Sequence, residues 1–396
     1  MRRVSAALCA ALILPALLMP SAQSLEPNSV ASIFERYISK KELANPSAIV
    51  IDQSTGEVVF AKNSNSLRKP ASVQKILAAV SALTYFAPTE TFTTTVSLGQ
   101  QTRTLVIEGS RDPWMSFNHK EAVRLGRTSL PRIEYNSLSS LIEANEEPVT
   151  KATIYYTNLY SQEVAHIKAF YKKQGITASL KRVNAREAQE LKGEEILQSS
   201  SPELQRMLAF FLTWSDNVLT ERIARLAALK AGERFDEDGV AVTFAGILET
   251  YGINSSSLLV KDASGLSHNN RITAAQVGSL LVKIRNEPQF APVVNGLPIS
   301  GITGTLKDRF TKTAPEAIGL VKAKTGTLNG TTNLAGYIES GDREYAFVVI
   351  ADKIKRTNAA SDRARKTLDR YLAKIAAPLM APIVETATAI TDLQTP

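Results

Sequence analysis

Short β-forming runs lie at both ends of this 396-residue chain, with helical patterns between them. Residues 48–52 and 58–61 flank a Thr55-Gly56 turn, the composition of a hairpin. Residues 320–324, 332–338 and 344–350 are three more such runs, joined by glycine-containing turns. An isolated hairpin is marginal in water because it buries too little apolar surface. The N-terminal and C-terminal parts are therefore expected to share one sheet, and everything between them must leave that sheet and return to it.

The middle divides by character. Residues 29–40 and 73–86 read as helices, the second strongly apolar and opened by Pro70-Ala71-Ser72. From about residue 91 to 195 the pattern shifts to short β-like runs at 93–97, 104–107 and 152–156, a turn at Asp112-Pro113 and two helical patterns, which reads as an inserted domain. After Pro202 helices dominate, with Met207, Phe210, Phe211 and Trp214 on one stripe that Ile223 and Leu226 continue. Residues 358–375 form a closing helix. The expected division is thus a first part of the main domain at 25–90, an insert at 91–195 and the second part of the main domain at 196–376.

The two termini read differently. Arg2 and Arg3 precede a fourteen-residue apolar run at 6–19, and Ala22-Gln23-Ser24 supplies small residues where a signal peptidase reads. The run contains Pro15 and falls short of the length that crosses a bilayer, so residues 1–24 are expected to be a secretory signal and the protein to be exported, to a periplasm or an extracellular cell-wall space. Residues 377–396 are rich in Ala, Thr and Pro without Lys or Arg, the composition of a flexible tail.

With one cysteine and three histidines the chain has no residues for a disulfide framework or a thiolate metal cluster. No metal or organic cofactor is expected. The net charge of +8 is spread without a basic run, which argues against nucleic acid and allows peripheral contact with anionic envelope polymers at most.

A serine hydroxyl is a weak nucleophile until a base takes its proton. Histidine is the common base, but His119, His166 and His268 lie in polar or helical stretches, and no Gly-x-Ser-x-Gly elbow occurs. A lysine serves instead if burial lowers its pKa enough to leave a neutral amine. Ser72-Val73-Gln74-Lys75 has that spacing, since helical positions three apart share a face, and the apolar residues 76–80 that follow would bury the helix. Ser66-Leu67-Arg68-Lys69 has the same spacing, but Pro70 disfavours helix at Lys69.

Two further elements answer Ser72. Lys324-Thr325-Gly326 follows a β-like run; Gly326 lets another backbone come close, and such a strand can take an extended peptide as an added strand while Lys324 and the hydroxyls of Thr325 and Thr327 meet a carboxylate. Lys312-Thr313-Ala314 is an incomplete copy. Ser215-Asp216-Asn217 interrupts two helical patterns: Ser215 can relay a proton, Asn217 can hold Lys75 and a substrate amide, and Asp216 is a helix-capping candidate. Ser-x-Asn recurs at Ser116 and Ser267, so spacing does not select one; the apolar helices flanking Ser215 favour it.

In this order, Pro70-Ala71-Ser72-x-x-Lys75, Ser215-x-Asn217 and Lys324-Thr325-Gly326 resemble the penicillin-binding serine D-Ala-D-Ala carboxypeptidases. More narrowly the chain resembles the class C, or peptidase S13, low-molecular-mass penicillin-binding proteins. Residues 262–270, Asp-Ala-Ser-Gly-Leu-Ser-His-Asn-Asn, look like the family's DGSGLS segment; residues 109–113 resemble its G-x-G-D-P turn; and Asn333-Leu334-Ala335-Gly336-Tyr337 follows the Lys-Thr-Gly strand. The resemblance runs from about residue 47 to 352. Lys75 and Ser215 are 140 residues apart, too far for a compact β-lactamase and too close for two inserted domains. Ala263 stands where a glycine is usual, and Ser110-Arg111 alters the insert turn.

The resemblance implies an α+β, multi-domain chain, with a penicillin-binding transpeptidase-like (β-lactamase-like) domain whose antiparallel sheet is flanked by helices, plus one smaller insert. It implies acyl transfer on peptidoglycan stem peptides ending in D-Ala-D-Ala. Ser72 would attack with Lys75 as base, the backbone N–H groups of Ser72 and Thr327 would hold the oxyanion, Ser215 would pass a proton to the leaving D-Ala, and β-lactams would acylate Ser72 as covalent inhibitors. Other readings are a β-lactamase, for which no Glu-x-x-Leu-Asn segment follows Asn217, and a penicillin- or wall-binding protein without turnover.

Overall fold

The structure, a computed structural model, describes residues 25–376. The expected signal at 1–24 and tail at 377–396 lie outside the described residues. In chain order the elements are α1 (Pro27–Ile38), β1 (Ser47–Asp52), β2 (Val58–Lys62), a 3-10 turn (Ala71–Gln74), α2 (Lys75–Tyr85), β3 (Thr93–Gly99) and β4 (Thr104–Gly109). There follow α3 (His119–Leu125), α4 (Leu130–Glu143), β5 (Lys151–Thr157), α5 (Ser161–Lys173), β6 (Thr177–Arg182), α6 (Ala185–Leu191) and β7 (Lys192–Ser200). Then come α7 (Leu204–Trp214), α8 (Asn217–Lys230), α9 (Glu237–Thr250), α10 (Ala274–Ile284) and α11 (Ala291–Gly296). The described chain closes with β8 (Val321–Leu328), β9 (Thr331–Ser340), β10 (Arg343–Ala351) and α12 (Asn358–Ala376).

The two ends meet as the hairpin argument requires. The first sheet has the order β2-β1-β10-β9-β8, antiparallel throughout, and β1 pairs β10 with Ser47 opposite Ile350 and Asp52 opposite Tyr345. Successive side chains of a strand point to opposite faces. Ile49, Ile51, Val348 and Ile350 therefore enter one core with α2 and α7–α10, whereas Ala48, Val50, Phe347 and Val349 enter another with α1 and α12. Helices on both faces explain why these strands read as unbroken apolar runs instead of alternating ones.

The second sheet runs β6-β5-β4-β3-β7. Its β4-β5 and β5-β6 pairs are parallel, so each needs a crossover, supplied by α3 with α4 and by α5. Val96, Leu105, Ile107, Ile154, Ile167 and Tyr171 fill a third core. Two strands of this sheet escaped the sequence reading. β6 and β7 are the outer strands, and Lys192-Gly193-Glu194-Glu195 reads as solvated loop because an edge tolerates charge that a central strand does not. β7 runs through residue 195, the limit expected for the insert, to Ser200.

Two other local expectations change. The apolar helix begins with a 3-10 turn, not with an α-turn at residue 73. In that geometry positions three apart eclipse one another, so Ser72 and Lys75 still align. Trp214, assigned to the buried stripe of Met207 and Phe211, is 58% exposed, because α7 ends there and Ser215, at φ +62°, turns the chain away.

Candidate active site

The apolar wall around α2 takes Lys75 fully out of water. Its Nζ lies 3.0 Å from Ser72 Oγ, 2.7 Å from Asn217 Oδ1 and 2.7 Å from the Ser264 carbonyl oxygen. Burial lowers its pKa to about 8, against the opposing charges of Glu221, Asp262 and Asp216. A neutral amine has two N–H donors and one lone pair. The two carbonyl-type oxygens at 2.7 Å take the donors, and the lone pair is left for the Ser72 hydroxyl.

Ser215 caps the end of α7, and Asp216 Oδ1 accepts the Leu219 N–H at 2.8 Å, which starts α8 and sets Asn217 in its first turn. Asp216 is therefore the helix cap its sequence position suggested. From the other side β8 brings Lys324, also fully buried, whose Nζ donates to Ser215 Oγ at 3.0 Å and to the Thr325 carbonyl at 3.1 Å. Burial, and then the charge of Lys75, push Lys324 well below the ordinary lysine range. Thr325 Oγ1 donates to Thr305 Oγ1 at 2.7 Å.

The Pro298 carbonyl accepts the Ala323 N–H at 2.9 Å. Among the described residues no strand pairs with the outer edge of β8 beyond that point. That edge is open over Lys324, Thr325, Gly326 and Thr327. A Cβ at Gly326 would stand 2.8 Å from the Pro70 carbonyl; its absence lets the strand approach the Ser72 turn, as the sequence reading required.

Bracing residues complete the site. Asn333 Nδ2 donates to the carbonyls of Lys69 and Pro70 at 2.9 and 2.8 Å, while its Oδ1 accepts the Ala351 N–H at 3.1 Å, so one buried amide ties the turn before Ser72 to β9 and β10. The Asp262 carboxylate gathers the N–H groups of Gly265, Leu266 and Ser267, and Glu221 Oε1 accepts the Ser264 N–H at 2.8 Å. Ala71 holds φ +48°, an uncommon conformation outside glycine. Gly265, at φ +83°, lies so close that a Cβ there would overlap the Ala71 carbonyl oxygen.

Ser72, Lys75 and Asn217 are thus joined by hydrogen bonds, Ser215 and Lys324 likewise, and Thr325, Gly326 and Thr327 follow Lys324 along β8, with Gly326 against the Ser72 turn. The alternatives make none of these contacts. Ser116 and Asn118 form the N-terminal cap region of α3 in the insert. Ser267 and Asn269 bond each other in the 262–270 loop. Around the other Ser-x-x-Lys, Arg68 pairs with Asp352 at 3.0 Å and the Lys69 N–H donates to the same carboxylate. Glu221 was missed: four residues after Asn217 it shares that face of α8, but only the fold shows what it faces. Among the described residues no group of three or more His, Cys, Asp or Glu is placed to hold a metal ion.

The insert reaches this cleft through α7 and α8. Trp114 packs on Phe210 with ring centroids 4.6 Å apart. Arg222 of α8 lies 3.9 Å from the Tyr160 ring centre and 3.4 Å from Glu163 of α5. Burial raises Glu163 to about 7 and Asp112 to about 6.

An antiparallel sheet covered by helices, a smaller sheet inserted in it, and this serine–lysine cleft at the open strand edge define an α+β protein of the penicillin-binding, transpeptidase-like class. The chain belongs to the D-Ala-D-Ala carboxypeptidase 3 (S13) family, which it matches over residues 30–128 and 140–375. Carboxypeptidase DacB of Mycolicibacterium smegmatis is 34% identical over 165 residues, 40% of this chain and 36% of that protein. The D-alanyl-D-alanine carboxypeptidase of Actinomadura sp. is 31% identical over 162 residues, 40% of this chain and 30% of that protein. The matched stretch is about a third of the length of these curated relatives. Penicillin-binding protein 4 of Haemophilus influenzae shares the fold at a TM-score of 0.66 and 18% identity, over 87% of this chain and 99% of that one.

Proposed function

We propose that the chain is a serine D-Ala-D-Ala carboxypeptidase of the cell wall, with endopeptidase action on D-Ala cross-links through the same residues. The observation that carries this reading is the fully buried Lys75 Nζ 3.0 Å from Ser72 Oγ, beside an open β-edge that carries a second buried lysine. Ser72 Oγ attacks the penultimate D-Ala carbonyl while its proton passes to Lys75 Nζ. The oxyanion meets the backbone N–H groups of Ser72 and Thr327, a kind of contact worth about 3 kcal/mol per donor. Ser215, held by Lys324, takes up the proton that Ser72 gave to Lys75 and hands its own to the amine of the departing D-Ala as the C–N bond breaks. That residue's carboxylate lies against Lys324 and the hydroxyls of Thr325 and Thr327. Water then hydrolyses the ester on Ser72.

β-Lactams present a similar carboxylate beside a strained amide and acylate the same oxygen. Among relatives, the Haemophilus protein is known as a complex with a β-lactam and the Bdellovibrio bacteriovorus endopeptidase Bd3459 as a penicillin G acyl-enzyme. The same reading takes residues 91–195 as an insert, residues 1–24 as an export signal, and the location as a periplasm or extracellular wall space. Labelled penicillin and a D-Ala-D-Ala pentapeptide test it together. The natural chain should bind label covalently and release D-Ala, and Ser72→Ala should do neither. Label retained by Ser72→Ala would overturn the assignment of the nucleophile.

A further inference from the structure

The insert straddles the turn that carries Ser215 and Asn217. On one side Trp114 lies against Phe210 of α7, with ring centroids 4.6 Å apart. On the other, Arg222 of α8 reaches into the insert, its guanidinium carbon 3.9 Å from the Tyr160 ring centre and its Nη1 3.4 Å from Glu163 Oε1. The guanidinium is thus seated on an aromatic face and met at its edge by a carboxylate. Both partners are fixed in place. Glu163 Oε2 accepts the Tyr160 N–H at 2.9 Å where α5 starts, which leaves Oε1 for Arg222. The Tyr160 ring is also approached by Phe235, 6.4 Å away between centroids. Nothing in the acyl-transfer steps above uses Arg222, Tyr160 or Glu163.

Arg222 follows Glu221 and lies five residues beyond Asn217 on the same helix. Asn217 Oδ1 accepts from Lys75 Nζ, and Glu221 Oε1 accepts the Ser264 N–H whose own carbonyl faces that amine. A rotation or slide of α8 therefore moves both groups at once. The helix is otherwise held by Leu219, Ile223 and Leu226 in the main core. Apolar burial is non-directional, whereas a planar guanidinium between a ring face and a carboxylate fixes the rotation of the helix as well. We propose that Arg222 is a positioning residue: through it, Tyr160 and Glu163 of the insert lock α8 so that Asn217 and Glu221 meet Lys75 and the Ser264 peptide in register. The inference rests on the proposed function, because it gives the insert a part in the acylation of Ser72.

The test follows covalent labelling of the full chain by a fluorescent penicillin from pH 6 to 9.5, with label bound per protein counting the competent molecules and urea unfolding measured beside it. Arg222→Ala should acylate about tenfold more slowly at pH 9, the scale of loss that a supporting group displaced by less than about 1 Å brings. Its pH midpoint should also fall, because Glu221 holds the Lys75 proton less strongly once α8 has moved; loss of the arginine charge alone would move the midpoint up. Arg222→Lys keeps the charge without the plane and should recover part of the rate. Tyr160→Ala, made in the other domain and changing no charge near neutral pH, should show the same slowing and the same downward shift, and Tyr160→Phe, which keeps the ring, should show neither. The double variant Arg222→Ala with Tyr160→Ala should be no slower than either single one. A contact that only stabilises the fold would lower the urea midpoint while the labelled molecules acylate at the natural rate and pH midpoint, and that result would overturn the proposal, as would additive losses in the double variant. Failure of the underlying function reads differently: the natural chain takes up no label.

Discussion

The influences that set the pKa of Lys75 oppose one another, and replacing Glu221 by glutamine separates them. Burial pushes the amine down and Glu221 is the first of the charges that push it back up, leaving it at about 8. With that value about one molecule in ten holds the neutral base at pH 7 and about nine in ten at pH 9, so acylation by a fluorescent penicillin should rise about tenfold across that interval and level off. Glutamine keeps an oxygen to accept the Ser264 N–H, the contact that steadies the carbonyl facing Lys75, and removes only the charge. A partly exposed carboxylate, screened to an effective dielectric above about 20, contributes on the order of 1 kcal/mol, or about 0.8 pH unit. The midpoint should move from about 8 to about 7.2. Glu221→Gln should then acylate about fourfold faster than the natural chain at pH 7 and at the same rate at pH 9, read by stopped flow from pH 6 to 9.5. Glu221→Ala, which also frees the Ser264 peptide, should be slower at both ends. A midpoint that stays put or moves upward in Glu221→Gln would refute the electrostatic account of the base.

Two other perturbations probe the supports of the cleft. Gly265→Ala forces a side chain into the Ala71 carbonyl in a left-handed backbone conformation; it should cost about 1–3 kcal/mol in urea unfolding and slow penicillin acylation, and an unchanged acylation rate would show that the 262–267 loop does not brace the Ser72 turn. Glu163, raised by burial from 4.5 to about 7, binds its proton more tightly folded than unfolded, so its contribution to stability is present below about pH 4.5 and lost as the pH rises to about 7. Against Glu163→Gln, the natural chain should therefore lose about 3 kcal/mol over that window, and a difference independent of pH would contradict the burial of that carboxyl between insert and α8.

Much of the candidate site's arrangement was legible because it is encoded in short spacings. Ser72 and Lys75 sit three apart, Pro70 disqualifies Lys69, and Gly326 follows a lysine on an apolar strand; each is a local steric fact. The braces were not legible. Asn333 acts on Pro70 across 263 residues and Glu221 on Ser264 across 43, and nothing near either residue in the chain marks what it will face. Arg222, Glu163 and Asp112 belong to the same class, since each reads as an ordinary surface charge until the insert packs against α8. The outer strands β6 and β7 were missed because edge strands carry the polar residues that a loop carries.

The sequence alone determined which side chains can share a turn, which runs are buried on both faces, and that strands from the two termini must close one sheet, because these follow from the period of the backbone and the need to bury apolar surface. Whether Lys75 can serve as the proposed base depends only on tertiary structure. A pKa is the sum of desolvation and charges acting through space, and the groups that lower and raise it here arrive from α8, from the 262–267 loop and from the wall of α2 only when the chain has folded.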